Sequence, residues 1–325
     1  MWVLRAALVA VFACALVALA RAQDYPARPI TLVLPLGAGG AMDIIARSQF
    51  EPNLRERLGK PIVVENRTGG GTVIAATSVA KSTPDGYTLF FVPAGTLTTN
   101  ATLYKKLPYD PGKDFVPIAL TSKIGFVLSV NPSLPVNSVA ELIAYAKARP
   151  RQLSFGSTGI GATPHLAGEM LMRAGGFEMN HVPYRGMPQA MNDVVAGHVH
   201  MVFADPAGTP PLVKDGKLRA LAVSSLTRIG VVPEVPTLDE LGFKGFEAVS
   251  WHMIVGPAGV PKEIVERLHG EFKRIVASSD FRTQLEKMGV IAVDSPPPDA
   301  LKRYLDEEIV RWGKLVREVG IAGTE

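Results

Sequence analysis

Cysteine is all but missing: Cys14 is the single one in 325 residues. It falls in an N-terminal stretch that reads as a cleaved leader, so the exported chain holds none, and disulfides, thiolate catalysis and cysteine metal sites are excluded. A surplus of one charge is missing too. There are 34 Lys and Arg against 30 Asp and Glu. Two of the arginines, Arg5 and Arg21, leave with the leader, so the remainder carries about +2 and gives no footing for nucleic-acid or membrane-surface binding. No apolar run of membrane-spanning length follows the leader. The G-x-S-x-G elbow, the H-E-x-x-H pair and any Cys-His pair are absent, and Ser157 has no base legible in the sequence, which leaves an enzyme reading little to stand on.

The leader itself is residues 1–22. Arg5 supplies the positive end, residues 6–19 an apolar core too short to cross a bilayer comfortably, and Ala20-Arg21-Ala22 a small-x-small cleavage site. The mature chain is expected to start at Gln23, in the periplasm and unlipidated. A competing lipoprotein reading places the lipid on Cys14, but Phe12 fits that pattern poorly.

What is present is a glycine-rich strand-to-helix turn, used twice. Ile30-Thr31-Leu32-Val33-Leu34 is an apolar run ending at Pro35. Gly37, Gly39 and Gly40 follow, and Ile44, Ile45 and Ala46 open a helical pattern. Glycine lets backbone approach a ligand, and the free N–H groups of a first helical turn favour an anion. Alone, the turn serves equally well as a tight connection without ligand, since Met42 stands where a dinucleotide fingerprint has its third glycine and no P-loop Lys-Ser/Thr follows. The pattern recurs at Leu153-Ser154-Phe155, the turn Gly156-Ser157-Thr158-Gly159-Ile160-Gly161, and the helix start Thr163-Pro164-His165-Leu166. Both turns stand at the carboxyl end of a strand, where open α/β sheets bind ligands, and neither carries a charge before Asp43. Two such turns across a cleft hold a carboxylate without a dedicated arginine.

Strand and helix patterns alternate through the rest, which predicts α/β architecture with mainly parallel sheets. A mature length of about 300 residues favours two lobes over one. Strands are expected at 61–66, 87–92, 116–120, 126–130, 179–182, 200–203, 219–223, 248–255 and 290–293. Helices are expected at 72–81 and after the capping boxes Ser138-Val139-Ala140-Glu141 and Thr237-Leu238-Asp239-Glu240. Two more carry Ile264, Leu268, Phe272 and Ile275, and Leu301, Leu305, Ile309 and Trp312, on one face each.

These residues carry a family resemblance. Pro35-Leu36-Gly37-Ala38-Gly39-Gly40-Ala41-Met42-Asp43, Val64-Glu65-Asn66-Arg67 with Gly69-Gly70-Gly71, Pro84-Asp85-Gly86-Tyr87-Thr88-Leu89, Phe155-Gly156-Ser157-Thr158-Gly159 with His165-Leu166-Ala167-Gly168-Glu169, Val182-Pro183-Tyr184-Arg185-Gly186, Pro236-Thr237-Leu238-Asp239-Glu240-Leu241-Gly242 and Gly256-Pro257-Ala258-Gly259-Val260-Pro261 together resemble the Bug-type receptors, periplasmic solute-binding components of tripartite tricarboxylate transport systems. The likeness implies a type II periplasmic-binding-protein fold, two α/β lobes with the chain crossing twice between them. Residues 23–123 plus 248–325 would form the first lobe and 124–247 the second. It further implies a monomeric receptor, without cofactor or catalysis, that closes on a small carboxylate and serves integral membrane transporter subunits. The ligand groups carried over are Ala38, Gly39, Gly40 and Asp43 on one side and Ser157, Thr158, Gly161 and Thr163 on the other. Leu36 and Met42 depart from the family, where an aromatic and a small hydroxyl residue are usual, so ligand identity does not transfer. A receptor that reports to a signalling membrane protein, and a periplasmic enzyme, are the alternatives.

Several candidates carry two readings each. Asp43, at N3 if Gly40 is the N-cap, either complements the helix dipole or pairs with a ligand amino group. Asn66 braces its glycine turn or touches ligand. Thr96 faces the cleft or caps the next helix, and Asp205 binds a ligand ammonium or a backbone N–H. Arg185 is an anion clamp or an ion-pair partner. His165 is read as structural. His198 and His200 share a face, but no third ligand makes them a metal site.

Overall fold

The computed structural model describes residues 25–184 and 186–325; the expected leader with Cys14, its cleavage site before Gln23, and Arg185 lie outside the described residues. Among the described residues the strands form two sheets. The first contains β1 (Ile30–Leu34), β2 (Ile62–Asn66), β3 (Thr88–Pro93), β4 (Phe115–Ile124), β10 (Ser250–Pro257) and β11 (Ile291–Ala292), in the order β11-β4-β10-β3-β1-β2. The second contains β5 (Val127–Val130), β6 (Ser154–Ser157), β7 (Asn180–Pro183), β8 (Met201–Ala204) and β9 (Arg219–Val223), in the order β7-β6-β8-β5-β9. β1 is parallel to β2 and β3, and β6 to β7 and β8. The other pairings, those of β4, β5 and β10, are antiparallel. The sheets are therefore mixed where mainly parallel ones were expected. The antiparallel strands are those on which the chain leaves one sheet for the other.

The near-continuous apolar reading of the first sheet's strands follows from cover on both faces. Ile30, Leu32 and Leu34 of β1, with Leu89 and Phe91 of β3, pack on the side of Phe50, Phe272 and Phe281. Val33, Phe90 and Val92, one residue out of phase, pack on the other side with Ala75, Val79, Leu301 and Leu305. The period-2 alternation sends successive side chains into different cores. The helix after β1 runs over 41–58 but widens to a π turn at Ala46–Phe50. Pro52 explains it: a proline has no N–H to return to the preceding turn, and a π turn shifts the register to suit.

Two crossings join the sheets, a short one at 125–126 and a longer one at 224–249, and Ser224 ties them together. Its hydroxyl accepts Phe126 N–H at 2.9 Å and donates to Ala248 O at 2.7 Å. Its backbone N–H donates to Phe126 O at 2.9 Å, and its carbonyl accepts Ala248 N–H at 2.9 Å. The side chain has no exposed surface.

Candidate functional site

Parallel strands put their carboxyl ends together. β1, β2 and β3 end at Leu34, Asn66 and Pro93, so the turn at 36–40, the glycines Gly69 to Gly71 and the segment with Thr96 share one edge of the first sheet. β6, β7 and β8 do the same in the second, bringing the turn at 157–163 and Asp205 to one edge. The two edges meet. A Cβ on Gly161 would stand 2.6 Å from Leu103 Cδ2, and Leu103 packs with Leu166, Trp312 and Val316 in one cluster drawn from both halves.

In the first turn Asp43 is an organiser. Only 6% exposed, its Oδ2 accepts Gly39 N–H at 3.0 Å, and its Oδ1 accepts Arg47 Nε at 2.9 Å and Asn66 Nδ2 at 3.1 Å. Burial alone would raise this carboxyl, but the donors from Gly39, Asn66 and Arg47 outweigh it and hold the group below the usual range. Gly39 has φ +82°, a conformation open to glycine at little cost. Asn66 also donates to Leu36 O at 2.8 Å and accepts Arg47 Nη2 at 2.8 Å, so it braces the turn. The amides of Ala38, Gly40, Ala41 and Met42 have no acceptor among the described residues.

The second turn is braced by histidines. Ser157 Oγ lies 2.6 Å from His181 Nε2 and accepts Gly159 N–H at 3.1 Å. His165 Nδ1 accepts Gly161 N–H at 3.0 Å, which leaves its proton on Nε2, towards Glu169 Oε1 at 3.5 Å. The two rings stack at 3.8 Å between centroids. Burial first, and then the neighbouring His165, pushes His181 down to about 3, so it stays neutral. The fold thus supplies Ser157 with the base the sequence does not reveal, through β6–β7 pairing. Ser157 is fully buried, however, and its hydroxyl closes the turn. Thr163, 8% exposed, begins the helix Thr163–Gly175, while Thr158 is half-buried and its hydroxyl has no partner among the described residues.

The remaining candidates separate. Thr96 lies inside a short helix, Ala94–Leu97, bonded to Thr72 Oγ1 at 2.7 Å and 2% exposed; it caps nothing. Asp205 is half-buried beyond β8, with no side-chain donor among the described residues. His198 lies against Asp193 and His200 accepts Ser154 N–H, so they do not converge; no metal-holding group occurs among the described residues. Sequence reasoning missed Arg47, Thr72 and His181. Arg47 was legible as the i+4 partner of Asp43; the other two depend on tertiary pairing. A concavity of about 650 Å³ also opens beyond the edge strand β7, lined by Arg151, Glu169, Arg173 and His181 among others. It lies off the strand ends and carries none of the free turn amides.

Two α/β halves joined by two crossings, each with a helix-opening turn at its strand ends, are the architecture of the type II periplasmic binding proteins. The profile of the tripartite tricarboxylate transporter family receptor matches residues 45–321. The chain is similar to the protein BugT of Bordetella pertussis, 35% identical over 303 residues, covering 92% of this chain and 91% of BugT. Among solved structures, Rpa4515 of R. palustris with adipate superposes with TM-score 0.83 at 36% identity, covering 92% of this chain and 99% of that one. The periplasmic binding protein BugD gives 0.80 at 35%, with coverage of 92% and 99%. This chain belongs to the tripartite tricarboxylate transporter receptor family. No helix among the described residues is long and apolar enough to cross a membrane.

Proposed function

We propose that this protein is an extracytoplasmic receptor that captures a small carboxylate between its two turns and hands it to a tripartite membrane transporter. The observation that carries this is the set of amides at Ala38, Gly40, Ala41 and Met42, at the strand ends of one half, and the Thr158 hydroxyl, at the strand ends of the other, which have no partner among the described residues. Neutral donors of this kind bind an oxyanion without a dedicated cation. The adipate bound to Rpa4515 supports a carboxylate as ligand. We assign residues 23–123 plus 248–325 to one lobe and 124–247 to the other. Sheet membership supports this, although Ile124 itself ends β4. Within the cleft, Gly40, Thr158 and Asp205 would touch ligand, while Asp43, Asn66, Thr96, Ser157 and Gly161 hold the walls. Catalysis finds no support: Ser157 is fully buried and its hydroxyl closes the turn.

The test is calorimetric titration of the exported chain with di-, tri- and amino carboxylates, alongside Gly39→Val, whose side chain cannot comfortably take φ +82°. At least one carboxylate should bind the wild type, come back chemically unchanged, and bind the variant at least about tenfold more weakly. A variant that binds as tightly as wild type would remove the turn from the site.

A further inference from the structure

β6 and β8 run parallel, with Phe155 facing Met201 and Gly156 facing Val202, so Asp205, the first residue beyond β8, stands at the same sheet edge as the second turn. The residue is fixed there by Thr209, whose hydroxyl donates to Asp205 O at 2.8 Å. The next residue, Pro206, presses on Gly289 from the other half: a Cβ on Gly289 would stand 2.6 Å from Pro206 Cβ. Asp205 therefore sits near the junction of the halves, on the same sheet edge as the Thr158 hydroxyl.

Its carboxyl differs from every other acidic group of the cleft. Asp43 is saturated by three donors, and Arg47 is committed to Asp43, Asn66 and Val64 O. Asp205 has no donor among the described residues. A ligand carboxylate alone would put a second negative charge into the same poorly solvated space, with nothing described there to offset either.

We propose that Asp205 recognises an ammonium on the ligand, so that the cleft is built for amino carboxylates: the carboxylate on the turn amides and Thr158, the ammonium on Asp205. This rests on the receptor reading given above. An α-amino acid carries its two charges on neighbouring groups, which suits an acidic side chain on the same sheet edge as the turn. Burial pushes the Asp205 carboxyl up to about 6, the behaviour of a carboxylate waiting for a counter-charge.

The experiment is calorimetry on the exported chain with matched pairs that differ by the ammonium: aspartate and succinate, glutamate and glutarate, 2-aminoadipate and adipate, norvaline and valerate. For at least one pair the amino member should bind about tenfold or more tightly. Asp205→Asn should erase that preference, weakening the amino member about tenfold while changing its partner less than about threefold. Equal weakening of both members would mark Asp205 as structural and overturn the proposal. If the amine-free members are preferred and Gly39→Val abolishes their binding, the Asp205 proposal falls and the receptor reading stands. If no carboxylate of either series binds, both fall.

Discussion

Ser224→Ala removes the one side chain among the described residues that bonds both crossings. The hydroxyl satisfies Phe126 N–H at 2.9 Å and Ala248 O at 2.7 Å, with no exposed surface through which water could replace it. An orphaned buried polar group costs about 1–3 kcal/mol, and two are orphaned here, but the carbonyl keeps a second lone pair, so about 2–4 kcal/mol is expected. Ser225→Ala is the internal control. Ser225 is also buried, but its hydroxyl makes one local bond, to Thr227 O at 2.7 Å, and its loss should cost about 1 kcal/mol. Urea unfolding should show the midpoint of Ser224→Ala falling at an unchanged slope, by clearly more than that of Ser225→Ala. Equal shifts, or a Ser224→Ala cost under about 1 kcal/mol, would refute Ser224 as the tie between the halves.

Two other outcomes follow from buried groups. His252 is fully buried against Ser122 Oγ at 2.9 Å, and burial pushes it down to about 4 from the ordinary 6.5. The native state therefore binds fewer protons than the unfolded chain between those values, and this stability is present above pH 6.5 and lost as pH falls towards 4, an effect of order 3 kcal/mol. His181 acts in the same direction down to about 3, while Asp205, raised from 3.8 to about 6, opposes it in that range. Urea midpoints from pH 8 to pH 4.5 should thus fall, and should fall less in His252→Gln; a pH-independent difference would contradict the assignment. Glu308 Oε2 accepts both Trp251 Nε1 and Trp312 Nε1 at 2.9 Å. Glu308→Leu should cost about 2–5 kcal/mol in the same assay and Glu308→Gln, which keeps an acceptor, less than about 1.5; similar costs for the two would rule out the indole bonds as the reason.

Much of this fold is local and was legible for that reason. β9 falls on the expected residues, and most other strands lie within a residue or two of expectation, because apolar runs bounded by Pro, Gly and Asn need no tertiary information. The long helix Lys262–Ala277 buries Leu268, Phe272 and Ile275 as its spacing predicts, but Ile264 stays at the margin and Val265 goes inside. The helix Ser279–Lys287 escaped notice, since its Ser278 cap follows directly on the preceding helix. The two capping boxes teach opposite lessons. Ser138 Oγ accepts Glu141 N–H at 3.1 Å and a helix follows. Thr237 and Glu240 exchange both bonds of the motif, at 2.8 and 2.9 Å, yet close only a turn, because Thr237 is held in a bridge with Val223. The box reports a local hydrogen-bond pattern, and tertiary pairing decides whether a helix grows from it.

The two turns were legible at the strand ends, but which of their amides are already bonded was not. Glycine-rich turns suggest a row of backbone donors offered to a ligand, yet Gly39 gives its N–H to Asp43, Gly159 to Ser157 Oγ and Gly161 to His165 Nδ1. In each case a side chain close in sequence binds the glycine amide and fixes the curvature of the loop. The amides left over, at Ala38, Gly40, Ala41 and Met42 in the first turn, then belong to a backbone set without ligand. Ordering a loop on binding costs free energy that a preset loop does not lose. On the proposed receptor reading, the rearrangement left for a ligand to drive is the approach of the two halves. Only a ligand that contacts both edges has the differential affinity to drive it.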